Sequence, residues 1–177
     1  MNLQERYLTI RDYIDSENTG KVIDKIIEFN NYDIQNKITN KKPIHLHIQS
    51  QGGNTLDGFA SVDIMLSSNT PIFTYADGYV ESTALDIFLA GSERLANNHT
   101  MFLIHGTTQS VENMSLSNFK SHLKMLLELE DWGKQLLVNR SNLSMKQINE
   151  LYNLNTDIFF NSKQALEYGI ITHILMK

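Results

Sequence analysis

A serine, a histidine and an aspartate of this chain stand where chemistry could be done. Ser82 lies in "DGYVESTALDIFLAG", between a β-like run, "PIFTYA", and an apolar helix-like run, "STALDIFLA", which places it at a strand-to-helix turn. A serine in that place caps the helix by accepting a backbone N–H bond, the role that position alone favours. Its other role is nucleophile, because a helix start offers N–H donors that stabilise developing negative charge. His105 ends the apolar run "MFLIH" and meets Gly106, so its ring can enter a cleft rather than the core. Asp157, in "NLNTDIFF", is a carboxylate entering an apolar stretch, as a capping or turn aspartate also is.

Two further patterns carry weaker chemistry. "IQSQGGNT" sets a double glycine after a strand and before a helix, which serves a tight turn or lets backbone N–H groups face a ligand. It is no phosphate loop of the usual kinds, since neither G-x-G-x-x-G nor G-x-x-x-x-G-K-[ST] occurs there. His45 and His47 share one strand face, but without a third ligand the pattern predicts a packed or solvated face and no metal.

Placing these residues requires a folded chain, and 177 residues suffice for one domain, here residues 1–177, with a sizeable core. With 41% hydrophobic and 20% charged residues and only two prolines, the composition is that of a globular protein. The net charge of −5 argues against nucleic acid or an anionic membrane as the main partner, both of which are bound through clustered Lys and Arg. Cysteine is absent, which removes disulfide scaffolds, thiolate zinc sites and thiol catalysis together. "MNLQERYLTIRD" contains no apolar signal core and no run of 18 apolar residues occurs, so a soluble, cytoplasmic protein is expected.

Apolar periodicity supplies the elements. "RYLTIRDYI" reads as a strand and turn, "GKVIDKIIEF" as a helix, and "PIHLHIQS" as a strand in which Ile44, Leu46 and Ile48 alternate. "TLDGFASVDIMLS" follows as a helix, "PIFTYA" as a strand, "STALDIFLA" as a helix and "MFLIH" as a short buried strand. The βαβ rhythm predicts an α/β fold. A long helix is expected from about Met114 to Arg140, and "SMKQINELY", "SKQALEYG" and "IITHILM" close the chain as two short helices and a strand. The Gln35 to Lys42 segment reads as a surface loop.

"IQSQGGNT", "GYVESTA", "MFLIH" and "TDIFFNSKQALEYGII" occur in the order and approximate spacing of the Clp protease proteolytic subunit family, ClpP, which the chain resembles from about Arg6 to Leu175. "QSQGG" is similar to the family's N-S-P-G-G, "GYVEST" to its nucleophile segment G-x-A-A-S-M, and "LIH" to its M-I-H strand. "QALEYGIIT" is similar to E-A-x-E-Y-G-L-I-D, the most literal of the matches. The resemblance implies a ClpP/crotonase-type α/β fold of repeated ββα units with a long protruding helix. It implies Ser82 as nucleophile, His105 as general base and Asp157 as its orienting carboxylate, with the backbone N–H groups of Gly53 and Thr83 as oxyanion hole, and no cofactor or metal. A serine hydroxyl needs such a base, and the base such an orienting group. The order Ser, His, Asp and the absence of G-x-S-x-G around Ser82 disfavour chymotrypsin, subtilisin and the α/β-hydrolases.

The function so implied is a serine endopeptidase that cleaves unfolded polypeptide in an oligomeric chamber by way of an acyl-enzyme. Gln51 and Glu81 stand where the family has proline and alanine, Thr156 replaces an arginine used between rings, and "GTTQSVENMS" lacks the family's channel residues. These departures keep open a non-catalytic ring subunit, and the shared fold keeps open a crotonase-type acyl-CoA enzyme. The implied partners are further copies in a ring, heptameric in the family, or other ClpP-like subunits, and an ATPase unfoldase. With only "MNLQE" before the first strand, coupling to that ATPase is expected to be poor.

Overall fold

Alternation builds the centre of the molecule. In β2 (Ile44–Gly53) Ile44, Leu46, Ile48 and Ser50 are buried while the residues between them reach the other face. β1 (Tyr7–Ile14) buries Ile10 and Ile14, and β3 (Ile72–Glu81) buries Ile72, Thr74, Ala76 and Val80. β1, β2, β3, β4 (Glu93–Asn97) and β7 (His173–Leu175) lie side by side in that order, all parallel. Parallel neighbours need crossovers, here α1 (Ser16–Gln35), α2 (Thr55–Leu66) and α3 (Thr83–Leu89). Their apolar faces, Val22, Ile26 and Phe29, then Phe59, Val62 and Met65, then Ile87 and Phe88, join the buried strand residues in one core. The computed structural model describes residues 6–108, 110, 112–153 and 156–175.

β3 serves two neighbours in turn. Phe73 to Ala76 pair with β4, whereas Tyr79 to Glu81 pair with β5 (Met101–Ile104). Gly78, at φ +86°, makes the change of direction. The sequence reading ends this strand at Ala76, because Asp77 and Gly78 look like a turn; the strand instead bends there and continues to Glu81. β5 also pairs antiparallel with β6 (Ile158–Asn161). β4 and β6 are absent from the sequence reading, being short and, in "ERLAN", lacking clear alternation.

α4 (Leu116–Arg140) is the predicted long helix, begun by Ser115, whose Oγ accepts the Asn118 N–H at 3.2 Å. Only Leu129, Gly133, Leu136 and Leu137 of it are buried, so its first half projects from the body. Its far end is fixed by Arg94, which is buried and donates to the carbonyls of Ile170, Gly169, Gly91 and Arg140. α5 (Met145–Asn153) and α6 (Ser162–Glu167) complete the fold. α1 extends beyond the predicted Gly20 to Phe29 at both ends, for Asp15 caps it with Asn18 in a capping box, and buried Asp33 holds its last turn through Arg6. Residues Met1 to Glu5, on which the expectation about the ATPase rests, lie outside the described residues, as do Gln109 and Val111 of "GTTQSVENMS".

Candidate active site

Strand register delivers Ser82 to His105. β3 and β5 run parallel with Glu81 opposite Leu103, and the Ser82 N–H donates to the Leu103 carbonyl at 3.1 Å. The next residues outward are therefore Ser82 at the end of one strand and, just past Ile104, His105 at the end of the other. His105 Nε2 lies 2.8 Å from Ser82 Oγ, a hydrogen-bond distance. Ser82 does not cap α3: its side chain makes no capping bond. Its backbone, at φ 53° and ψ −131°, is a conformation that L-residues rarely adopt. The glycine pair explains how this fits. A Cβ on Gly52 would stand 2.7 Å from Ser82 Cβ and 2.9 Å from the Glu81 carbonyl, and one on Gly53 would stand 2.4 Å from the Ile14 carbonyl. Gly52 thus lets β2 pass under the serine, and Gly53 lets it pass β1.

Asp157 arrives by the other pairing of β5. Ile104 faces Ile158 in the antiparallel β5–β6 ladder, so the succeeding pair is His105 and Asp157. Among the described residues no hydrogen bond joins the two, and Asp157 is exposed. Its charge is felt at Glu81, whose carboxyl is pushed above the usual carboxylate range first by burial and then by repulsion from Asp157, while His105 acts in the opposite sense. Glu81 therefore shares the site with the histidine and the aspartate.

Gly53 and Thr83 line the same cavity as Ser82 and His105. The Thr83 N–H belongs to the first turn of α3, where N–H groups have no helical acceptor. Thr83 Oγ1 donates to the Gly53 carbonyl at 3.4 Å and ties the start of α3 to the end of β2. His45 and His47 lie on the half-exposed sheet face: His45 Nδ1 is 2.8 Å from Tyr75 Oη, His47 Nδ1 is 2.8 Å from Asp77 Oδ2, and the rings stack in a ladder with Tyr7 and Tyr75.

The cavity, of about 290 Å3, has walls that the sequence reading does not single out. Leu129, Gly133 and Leu137 come from α4, Tyr152 from α5, and Asp86 from α3 one turn beyond Ser82. Burial pushes the Asp86 carboxyl up to about 7 and the Tyr152 hydroxyl above its ordinary value. The signal for Asp86 is one carboxylate four residues after Ser82 inside an otherwise apolar helix.

The family model described as Clp protease matches residues 1–177. The chain is similar to ATP-dependent Clp protease proteolytic subunit 2 of Treponema denticola, 25% identical over 176 residues that cover 97% of this chain and 82% of the relative. It is likewise similar to proteolytic subunit 2 of Tropheryma whipplei strain Twist, 26% identical over 174 residues, 97% of this chain and 92% of the relative.

Proposed function

The chain belongs to the Clp protease family and is a serine-type peptidase, and from that premise we propose that Ser82 is its nucleophile, His105 its general base and Asp157 the carboxylate that orients His105. His105 Nε2 takes the Ser82 Oγ proton as the oxygen attacks the scissile carbonyl carbon. The backbone N–H groups of Thr83 and Gly53 receive the oxyanion, a contribution on the order of 3 kcal/mol for each donor. The tetrahedral adduct collapses to an acyl-enzyme as His105 returns the proton to the leaving amine. Water, deprotonated by the same ring, then releases the acid. Asp157 closes on the Nδ1 side of His105 when substrate orders the site, as catalytic hydrogen bonds tighten in the bound complex.

The observation that carries this reading is the 2.8 Å separation of Ser82 Oγ and His105 Nε2. It favours catalysis over a ring subunit without activity, the reading that Glu81 would support. The substrate is polypeptide in extended form, cleaved inside a chamber made by a ring of subunits. The family's subunits form such rings and work with unfoldases. For this chain a ring of seven, from copies of itself or with related subunits, is part of the proposal. Among the described residues no helix is long and apolar enough to cross a membrane.

Treatment with a fluorophosphonate, read by intact mass, tests the assignment. One adduct is expected on the wild-type chain and none on Ser82→Ala. An unlabelled wild-type chain, with a control serine peptidase labelled in parallel, would overturn it.

A further inference from the structure

We propose that the cavity beside Ser82 receives a basic side chain, lysine or arginine, on the acyl side of the scissile bond, and that Asp86 is the residue that selects it. This rests on the peptidase reading of the same cavity. Asp86 follows Ser82 by four residues, one turn of α3, so the two stand on one side of that helix and both border the cavity. Because Ser82 and Asp86 line one cavity, the side chain on the acyl side of a carbonyl within reach of Ser82 Oγ can enter the space that Asp86 borders.

Charge within the cavity points to a cation. Glu130, the other carboxylate on the wall, is already satisfied: Lys134 Nζ lies 2.7 Å from one oxygen, and the Thr107 N–H donates to the other at 3.1 Å. Lys134 itself lies 4.8 Å above the Tyr152 ring, held there on α4 and α5. Asp86 has no hydrogen-bond or ion-pair partner among the described residues, and burial alone drives its shift, with no cation offsetting it. Leu129 and Leu137 supply apolar walls along which the stem of a lysine or arginine can lie, leaving its head to meet Asp86. Gly133 keeps that end open, since a Cβ there would stand 3.5 Å from both Asp86 Oδ1 and Tyr152 Oη. A pocket that carries one unpaired acid in a wall of mixed polar and apolar residues distinguishes substrates by charge, as the pocket aspartate of trypsin does.

The ionisable groups on the wall of the same cavity are Glu130 on α4, Tyr152 on α5 and His105 after β5, and Lys134 is bound to Glu130 behind that wall. Glu130 and Lys134 neutralise one another, so the state of Asp86 governs the charge offered to the substrate. Ionised Asp86 attracts a basic side chain; protonated, it leaves a pocket that takes an uncharged one as well. Selection should therefore rise with pH through about 7.

The test uses fluorogenic peptides that differ only in the residue before the scissile bond, lysine, arginine, norleucine or glutamate, with wild-type protein, Asp86→Asn and Asp86→Leu. Taking the ratio of kcat/KM for lysine over norleucine cancels any pH dependence common to both substrates. At pH 8 the wild-type ratio is expected to exceed tenfold, to fall severalfold at pH 6, and to drop below one in Asp86→Leu. Asp86→Asn, nearly the same shape, should lose the pH dependence and most of the preference. Fluorophosphonate labelling checks that each variant retains a reactive serine. Labelled wild type that prefers norleucine at pH 8, or a ratio unchanged in both variants, overturns the pocket assignment alone. Failure of the wild type both to label and to cleave any peptide overturns it together with the peptidase reading.

Discussion

At Ser82 the backbone is held where side-chain-bearing residues rarely go, and the hold is visible: its N–H is taken by Leu103, its carbonyl by the Leu85 N–H, and Gly52 fills the space beneath it. Such a conformation costs on the order of 1–3 kcal/mol. Glycine adopts it without that cost but loses somewhat under 1 kcal/mol through the freer unfolded chain. Ser82→Gly is therefore expected to be more stable than Ser82→Ala by about 1 kcal/mol. Both variants should be unreactive to fluorophosphonate. Urea unfolding of the two proteins would show it, and equal midpoints would mean that the strain is absent. The serine, the histidine and the glycine pair were legible in the sequence as residue types at suggestive spacings. The strain was not, because it arises where β2, β3 and β5 converge, and no local pattern around Ser82 encodes that meeting. Asp86 is hidden in the sequence for the opposite reason. The apolar residues around it make the run read as plain core, and only the cavity shows that this carboxylate has an open side.

Elements are tied by two carboxylates whose charges act with opposite sign. Arg6, before β1, meets Asp33, near the end of α1, through two contacts at 2.7 and 2.5 Å, and Thr70 Oγ1 donates to the same carboxylate at 2.8 Å. Hydrogen bonds from Arg6 hold the Asp33 carboxyl below the usual range. Its stabilising contribution is present above the unfolded value near 4 and is lost as pH falls through the folded one. Asp86 is pushed up to about 7. It keeps its proton in the fold where the unfolded chain has lost it, so stability declines as pH rises from about 4 to about 7. Asp33→Ala leaves Arg6 buried without its counter-charge and should cost about 3–5 kcal/mol in urea unfolding at pH 7. Asp86→Asn should flatten the decline between pH 4 and 7, by on the order of 4 kcal/mol across the window. A wild-type curve no steeper than that of the variant would show that Asp86 is solvated. Sequence periodicity marks β2, α2 and α4 because each buries a regular stripe. It shortened α1, whose last turn depends on a long-range ion pair, and missed β4, whose Arg94 is buried through carbonyls up to 76 residues away.

For the molecule as a whole, the projecting half of α4 is the feature that calls for a partner. Leu116, Phe119, Leu123, Leu127 and Trp132 are all exposed, Leu116 at 71% and Leu127 at 59%. Contiguous apolar surface of this kind marks an interface. Light scattering at micromolar concentration is expected to give a closed assembly several times the 20.3 kDa of one chain. Replacing Leu123 and Leu127 together by lysine should shift it to smaller species without unfolding, because neither residue is part of the core. A monodisperse monomer for the wild type would refute self-association. The topology that sets α4 outward has a temporal side as well. In the proposed assignment the serine comes from β3, the base from β5 and the orienting acid from the approach to β6, and among the described residues β6 pairs with β5 alone. Ribosomes make these pieces in that order, with α4 and α5 synthesised between the second and the third. A growing chain thus carries the proposed nucleophile and base long before the strand that brings the acid, and the proposed site is finished only when β6 has folded back upon β5.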